Sequence, residues 1–348
     1  MTYLGIILLL ILLAATFDTT TIGSEFEWKS IDYRFHMRDE LTPNQSISLV
    51  LLDEASRDKF GDAPYQRRIF ATVIKGLMKL KAAVIGIDFR FEEASDKLND
   101  SLLVDAIRKS ENVVIGCYFR NIDPAPGSAV CYETEEMPPV WSPLMAAGAS
   151  VGHLGVFLNQ YNRQISFMPG FISVKDSLIP CFPLQIVKTF RNIEDTNVEI
   201  REDEIKLLIA DNRSLEIPTN FSSEILINFL GDEEVFTNCY SFIDVHAYCK
   251  TILAGTGHQE LSKEFENKIV LIGSLIDEDI FVTPYSYDFP GVLIHATVID
   301  NILSQRFLEH LPYSEFFILP LLAFILYLIF LQTAYFRKIA GAAIVLVL

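Results

Sequence analysis

Apolar and polar positions fall into two regimes along this 348-residue chain. The two ends are continuously apolar, whereas the long middle alternates short apolar runs with amphipathic stretches. Ser46 to Asp53 (SISLVLLD) reads as a strand that closes on an aspartate. Gln66 to Lys81 then sets Ile69, Phe70, Val73, Ile74, Leu77 and Met78 at helical spacing, with basic residues between them. Ala82 to Phe89 (AAVIGIDF) is a second buried strand that also carries an aspartate near its end. Asp100 to Ser110 is a short amphipathic helix and Asn112 to Phe119 a third strand. This order predicts an α/β fold, a largely parallel sheet with right-handed crossovers and helices on both faces.

The central part is less regular. Asp123 to Pro143, rich in Pro, Gly and acids, reads as a long surface loop. Val151 to Leu158 and Ile165 to Val174 read as two strands around a polar turn at Asn159–Arg163, and Pro180 to Arg191 as a helix. Val198 to Pro218 alternates polar and apolar residues about Asp211-Asn212-Arg213, which predicts a β-hairpin insertion. Ile225–Gly231, Phe242–Leu253, Lys268–Ser274 and Gly291–Leu303 restore the alternation of strand and helix.

The ends change the picture from a globular domain to an anchored one. Tyr3 to Phe17 is uncharged, and Phe316 to Tyr335 has about the ~20 apolar residues a membrane-spanning helix needs. The expected organisation is a transmembrane helix at 1–17, a domain at 18–315 and a second transmembrane helix at 316–336. The apolar stretch 339–348 reads as the start of a further, truncated one. Charge supplies an orientation. Residues 18–315 hold all 45 acids against 26 of the 28 bases, a net charge of −19. Such a surface repels nucleic acid and anionic headgroups, which argues against a nucleic-acid partner. Arg337 and Lys338 follow the second span and place that end in the cytoplasm, so the domain between the spans is extracytoplasmic.

Cysteines and motifs narrow the chemistry. Of five cysteines, Cys117 with Cys131 and Cys239 with Cys249 could form disulfides, or most could be small buried residues. Zinc spacings, a nucleophile elbow and phosphate-binding loops are all missing, so neither a cofactor nor catalysis is expected from this chain. Candidate ligand-binding groups are Asp53, Asp88 and Ser274 at carboxyl ends of strands, where open parallel sheets bind ligands. Asp279 in the next loop, the Thr283-Pro284 turn and His295 on the last helix complete the set. Carboxylates grouped this way favour a hard cation or a positively charged ligand. Each also has a plainer reading: helix cap, turn residue, or partly buried histidine.

The residues also carry a resemblance. KIVLIGS, Asp279, Thr283-Pro284, Pro290-Gly291-Val292 and the His295-Ala296 helix ending NIL are similar to CHASE sensory domains of type two. At the other end IDYRFHMR, SLVLLDEAS and VIGIDFRF match the same family, so the resemblance brackets almost all of Asp18 to Leu303. It implies an extracytoplasmic sensor of a bacterial membrane signalling protein in the plasma membrane, with an output domain, an enzyme among the options, beyond further membrane helices. Expected partners are the membrane, an unknown small ligand or periplasmic protein, and a second copy in a homodimer. A membrane-anchored interaction scaffold is the alternative. A metal-dependent hydrolase built on Asp53, Asp88 and His295 is a distant third.

Overall fold

The computed structural model describes residues 21–308, apart from 111, 126–131, 176, 210–212, 221–222, 258–260 and 277–278, together with 324–325 and 327–328. Two compact units emerge: Met1–Arg34 with Glu309–Leu348, and Phe35–Leu308. Helix α1 (Thr21–Met37) begins in the first, and its last three residues belong to the second. The expected transmembrane segments lie outside the described residues, except for 324–325 and 327–328. Among the described residues no helix is long and apolar enough to cross a membrane.

The second unit is organised on a six-stranded sheet whose pairings are all parallel. Its strands are β1 (Ile47–Leu52), β2 (Val84–Ile87), β3 (Val113–Cys117), β4 (Ser150–His153), β5 (Cys239–Ser241) and β6 (Ile269–Ser274), in the spatial order β5-β1-β6-β2-β3-β4. The central strands β1, β2, β3 and β6 are buried almost throughout, which their continuous apolar runs require.

Helices α2 (Glu54–Phe60), α3 (Arg67–Lys79), α4 (Lys97–Arg108), α5 (Phe182–Arg191), α6 (Phe242–Ala254) and α7 (Gly291–Ser304) follow in chain order. On one face α3, α4 and α6 share a core with Val50, Leu52, Ile85, Ile87, Val270 and Ile272 of the strands. The helical spacing in α3 is what buries Ile69, Phe70, Val73, Ile74 and Leu77 there; each contributes on the order of 1.5–3 kcal/mol. Helices α5 and α7 pack on the opposite face and against each other.

Several boundaries differ from expectation. Val151 to Leu158 is not one strand: Ser150–His153 joins the main sheet, and only Phe157–Leu158 pairs with Ile165–Pro169. Gly155 breaks the run between them. The stretch from 123 to 143 is not wholly loop, since the strands Asp123–Pro124 and Tyr132–Thr134 lie within it and the short helix Ser142–Ala146 begins at its end. The hairpin expected at 198–218 has a third strand: Val198–Ile200 pairs with Glu204–Ile209, which pairs with Arg213–Pro218. Neither suggested disulfide forms, because Cys117, Cys239 and Cys249 carry free thiols; Cys131 lies outside the described residues.

Candidate functional site

The position of β6 brings the candidate residues together. It enters the sheet late, between β1 and β2. The helices after β1 and β2 lie on one face, whereas α7 after β6 lies on the other. Chains leaving neighbouring strands in opposite directions open a crevice at their carboxyl ends. Register places the candidates along it. Leu52 pairs with Ser274 and Ile87 with Ile272. The Leu275 amide donates to the Leu52 carbonyl at 3.0 Å and the Asp88 amide to the Ile272 carbonyl at 2.8 Å. Asp53, Ser274 and Asp88 therefore line adjacent strand ends.

Their environments differ. Asp53 caps α2: its carboxylate accepts from the Ser56 amide (2.9 Å) and hydroxyl (2.7 Å). Burial opposes its ionisation, but these hydrogen bonds prevail and hold its pKa below the ordinary carboxylate value. It is a structural cap. The Ser274 hydroxyl accepts from the Ile276 amide at 3.2 Å and shapes the start of the loop.

Asp88 and Asp279 lie close enough for their charges to interact. Burial first, and then the nearby Asp279 carboxylate, drive the pKa of Asp88 well above the usual range. Asp279 sits on the N-terminus of α7, where its carbonyl accepts the Gly291 amide at 2.9 Å. The Asp279 carboxylate comes so close to Gly291 that a Cβ at that position would displace it. The helix dipole at that end favours an anion. Two carboxylates with opposed preferences can share one proton or bind a cation. Asp277 and Glu278 lie outside the described residues.

Thr283 and His295 occupy other surroundings. Thr283 is buried and closes its own turn: its hydroxyl accepts from the Ser286 amide (3.1 Å), and its amide donates to the Ser286 carbonyl (2.8 Å). The turn presents Tyr285, whose hydroxyl donates to the Phe35 carbonyl in the last turn of α1 (2.9 Å). The Phe35 and Tyr285 rings meet edge to face at 5.8 Å. His295 is buried against Phe182 of α5, ring centroids 5.3 Å apart. Burial alone depresses its pKa to about 3.

The residue sequence reasoning missed is His153, at the end of β4 and fully buried. Burial, and then His295 beside it, lower its pKa to about 3. Neither ring nitrogen forms a well-aligned hydrogen bond, although the Pro169 carbonyl lies close enough to favour the protonated ring. Nothing in a lone Gly-His-Leu triplet marks this; only the packing of α5 against both β4 and α7 does. Among the described residues no group of three or more His, Cys, Asp or Glu is arranged to hold a metal ion.

The far half of α7 is tied into the chain just after α1. Asp300 accepts from the Asn44 amide at 2.8 Å. Asn301 exchanges two hydrogen bonds with the Asn228 backbone, at 2.9 and 3.0 Å. Arg38 donates to the Asn228 side chain at 2.6 Å and to the Phe229 carbonyl.

Comparison with known protein families gives a match. The model of the family described as the CHASE2 domain covers residues 6–331, nearly the whole chain. No curated protein and no solved structure matches.

Proposed function

The chain belongs to the CHASE2 family of sensory domains, and from that premise we propose that it is the extracytoplasmic sensor of a membrane signalling protein. The crevice at the ends of β1, β6 and β2 is its input site, and the charge state of the Asp88–Asp279 pair is its variable. One observation carries the reading: the loop that sets Asp279 on α7 also presents Tyr285 to the last turn of α1. A proton or cation exchanged at the pair changes how that loop sits on the helix N-terminus. The Tyr285–Phe35 contact passes the change to α1 and onward to the apolar run 1–17. The polar network from Asp300 and Asn301 gives α7 a second route to residues 38–44. A stimulus acts only through its different affinity for the two arrangements.

The test uses the full chain in a bilayer, with cysteines placed in the runs 3–17 and 316–335 and the native cysteines replaced. Asp88→Asn and Asp279→Asn fix the pair in neutral forms, and the disulfide cross-linking pattern between the runs is expected to change. A pattern identical to the parent in both variants, with the melting temperature retained, overturns the reading.

A further inference from the structure

We propose that the outer seam between α3 and α6 is a binding site for a small organic anion, a carboxylate or phosphate monoester attached to an apolar group. It is separate from the crevice and does not depend on the sensory reading. The seam encloses a groove of about 580 Å³, within the roughly 300–1,000 Å³ of small-molecule sites. Gly76 lets the helices approach so closely that a Cβ there would overlap Cys249. Their solvent-facing stripes then diverge on either side: Arg68, Thr72 and Lys75 on α3, and His246, Lys250 and Leu253 on α6. Both stripes follow the i, i+4, i+7 spacing of one helix face.

The charge of this groove opposes that of the molecule. The segment 18–315 carries a net charge of −19, yet among the described residues no carboxylate lines the groove, while Lys59, Arg68, Lys75 and Lys250 all do. Lys75 is already paired with Asp105 at 2.7 Å. Among the described residues, Lys59, Arg68 and Lys250 form no ion pair, in a chain with acids to spare. Repulsion shows that the cations are gathered: burial, then Lys250 and then Arg68, depress the pKa of His246 between them. The floor is apolar. Phe60 packs edge-on to the His246 ring at 5.1 Å, and Ile69, Leu102 and Leu253 complete the wall. An anionic head on an apolar body satisfies both halves, and the Arg68 fork suits a planar carboxylate or phosphate.

The experiment titrates the full chain in neutral detergent with 1-naphthoate and 1-naphthyl phosphate, and with the neutral 1-naphthalenemethanol and cationic 1-naphthylmethylamine. Naphthalene fluorescence reads binding. Both anions are expected to bind at least about tenfold more tightly than the other two, and to weaken as salt rises. In Arg68→Gln/Lys250→Gln, whose side chains are exposed, anion affinity falls by at least about tenfold while the melting temperature holds. Proton NMR of the parent protein adds a readout independent of any variant: a bound anion raises the pKa of His246. Equal binding of the neutral analogue, undiminished anion binding by the variant, or an unmoved His246 titration each overturns the site.

Discussion

His153 and His295 illustrate how burial rather than residue type sets chemistry. Both rings are enclosed, and Cys181, whose backbone pairs with that of His153 in a parallel β-bridge, has its thiol pushed up to about 12 by burial. Among the described residues no acid is positioned to stabilise a protonated imidazole there. In the unfolded chain each ring protonates near pH 6.5, whereas in the fold protonation waits until about 3. Between these values the unfolded state binds more protons, so stability is full above pH 6.5 and falls as pH decreases towards 3. Each ring contributes up to about 1.4 kcal/mol per pH unit in that window. Replacing both by Gln flattens the acid limb of a denaturant-midpoint profile measured from pH 7 to 4; an unchanged slope refutes the assignment. Asp88 shifts in the contrary sense, because its raised pKa favours the fold on the acid side and that contribution fades as pH rises. The two effects are separable by making the histidine variants in an Asp88→Asn background.

At the scale of elements, the sequence located helices and strands well where the period was long. Residues 66–81 gave α3, and 268–274 gave β6, each to within two residues. The three-residue β5 and seven-residue α2 were not legible, since neither is long enough to show a period. How α3 begins was also invisible, as its Gln66 cap makes no side-chain bond. The anchor is Arg67, buried and paired with Asp100 at 2.6 Å, with its guanidinium 4.8 Å from the Trp141 ring. Asp100 in turn accepts the Ser95 amide at 3.0 Å. Asp100→Ala leaves a buried cation without its partner and is expected to cost about 3–5 kcal/mol. Arg67→Met with Asp100→Leu, which removes both charges, is expected to cost much less. Urea unfolding of the two variants measures the difference, and equal losses would refute a charge-based origin.

Over the whole molecule, the proposed sensor requires a route from the strand ends of the sheet towards the chain's termini. The Phe35–Leu308 unit contains both the crevice and the last turn of α1, and Tyr285 joins them. Tyr285→Phe keeps the ring contact and deletes the hydroxyl bond, whereas Tyr285→Ala deletes both. Graded loss of the cross-linking change produced by Asp279→Asn is therefore expected, small for Phe and complete for Ala. A full response in Tyr285→Ala would show that the signal travels by the Asp300–Asn301 network instead.

Local pattern alone determined the class of fold, the acids at the strand ends and the family signature in residues 268–303. Buried parallel strands, amphipathic helices and Pro-Gly turns are written in neighbouring residues, at periods set by backbone geometry. Tertiary structure decided everything that depends on residues far apart in the chain. It slotted β6 between β1 and β2, paired Asp88 with Asp279, and made a cap of Asp53 and a turn of Thr283. It removed His295 to the side of His153 and turned two ordinary basic stripes into one cationic groove. The physical reason is range: hydrophobic periodicity acts over a few residues, whereas burial and electrostatic coupling depend on which segments the completed sheet brings together.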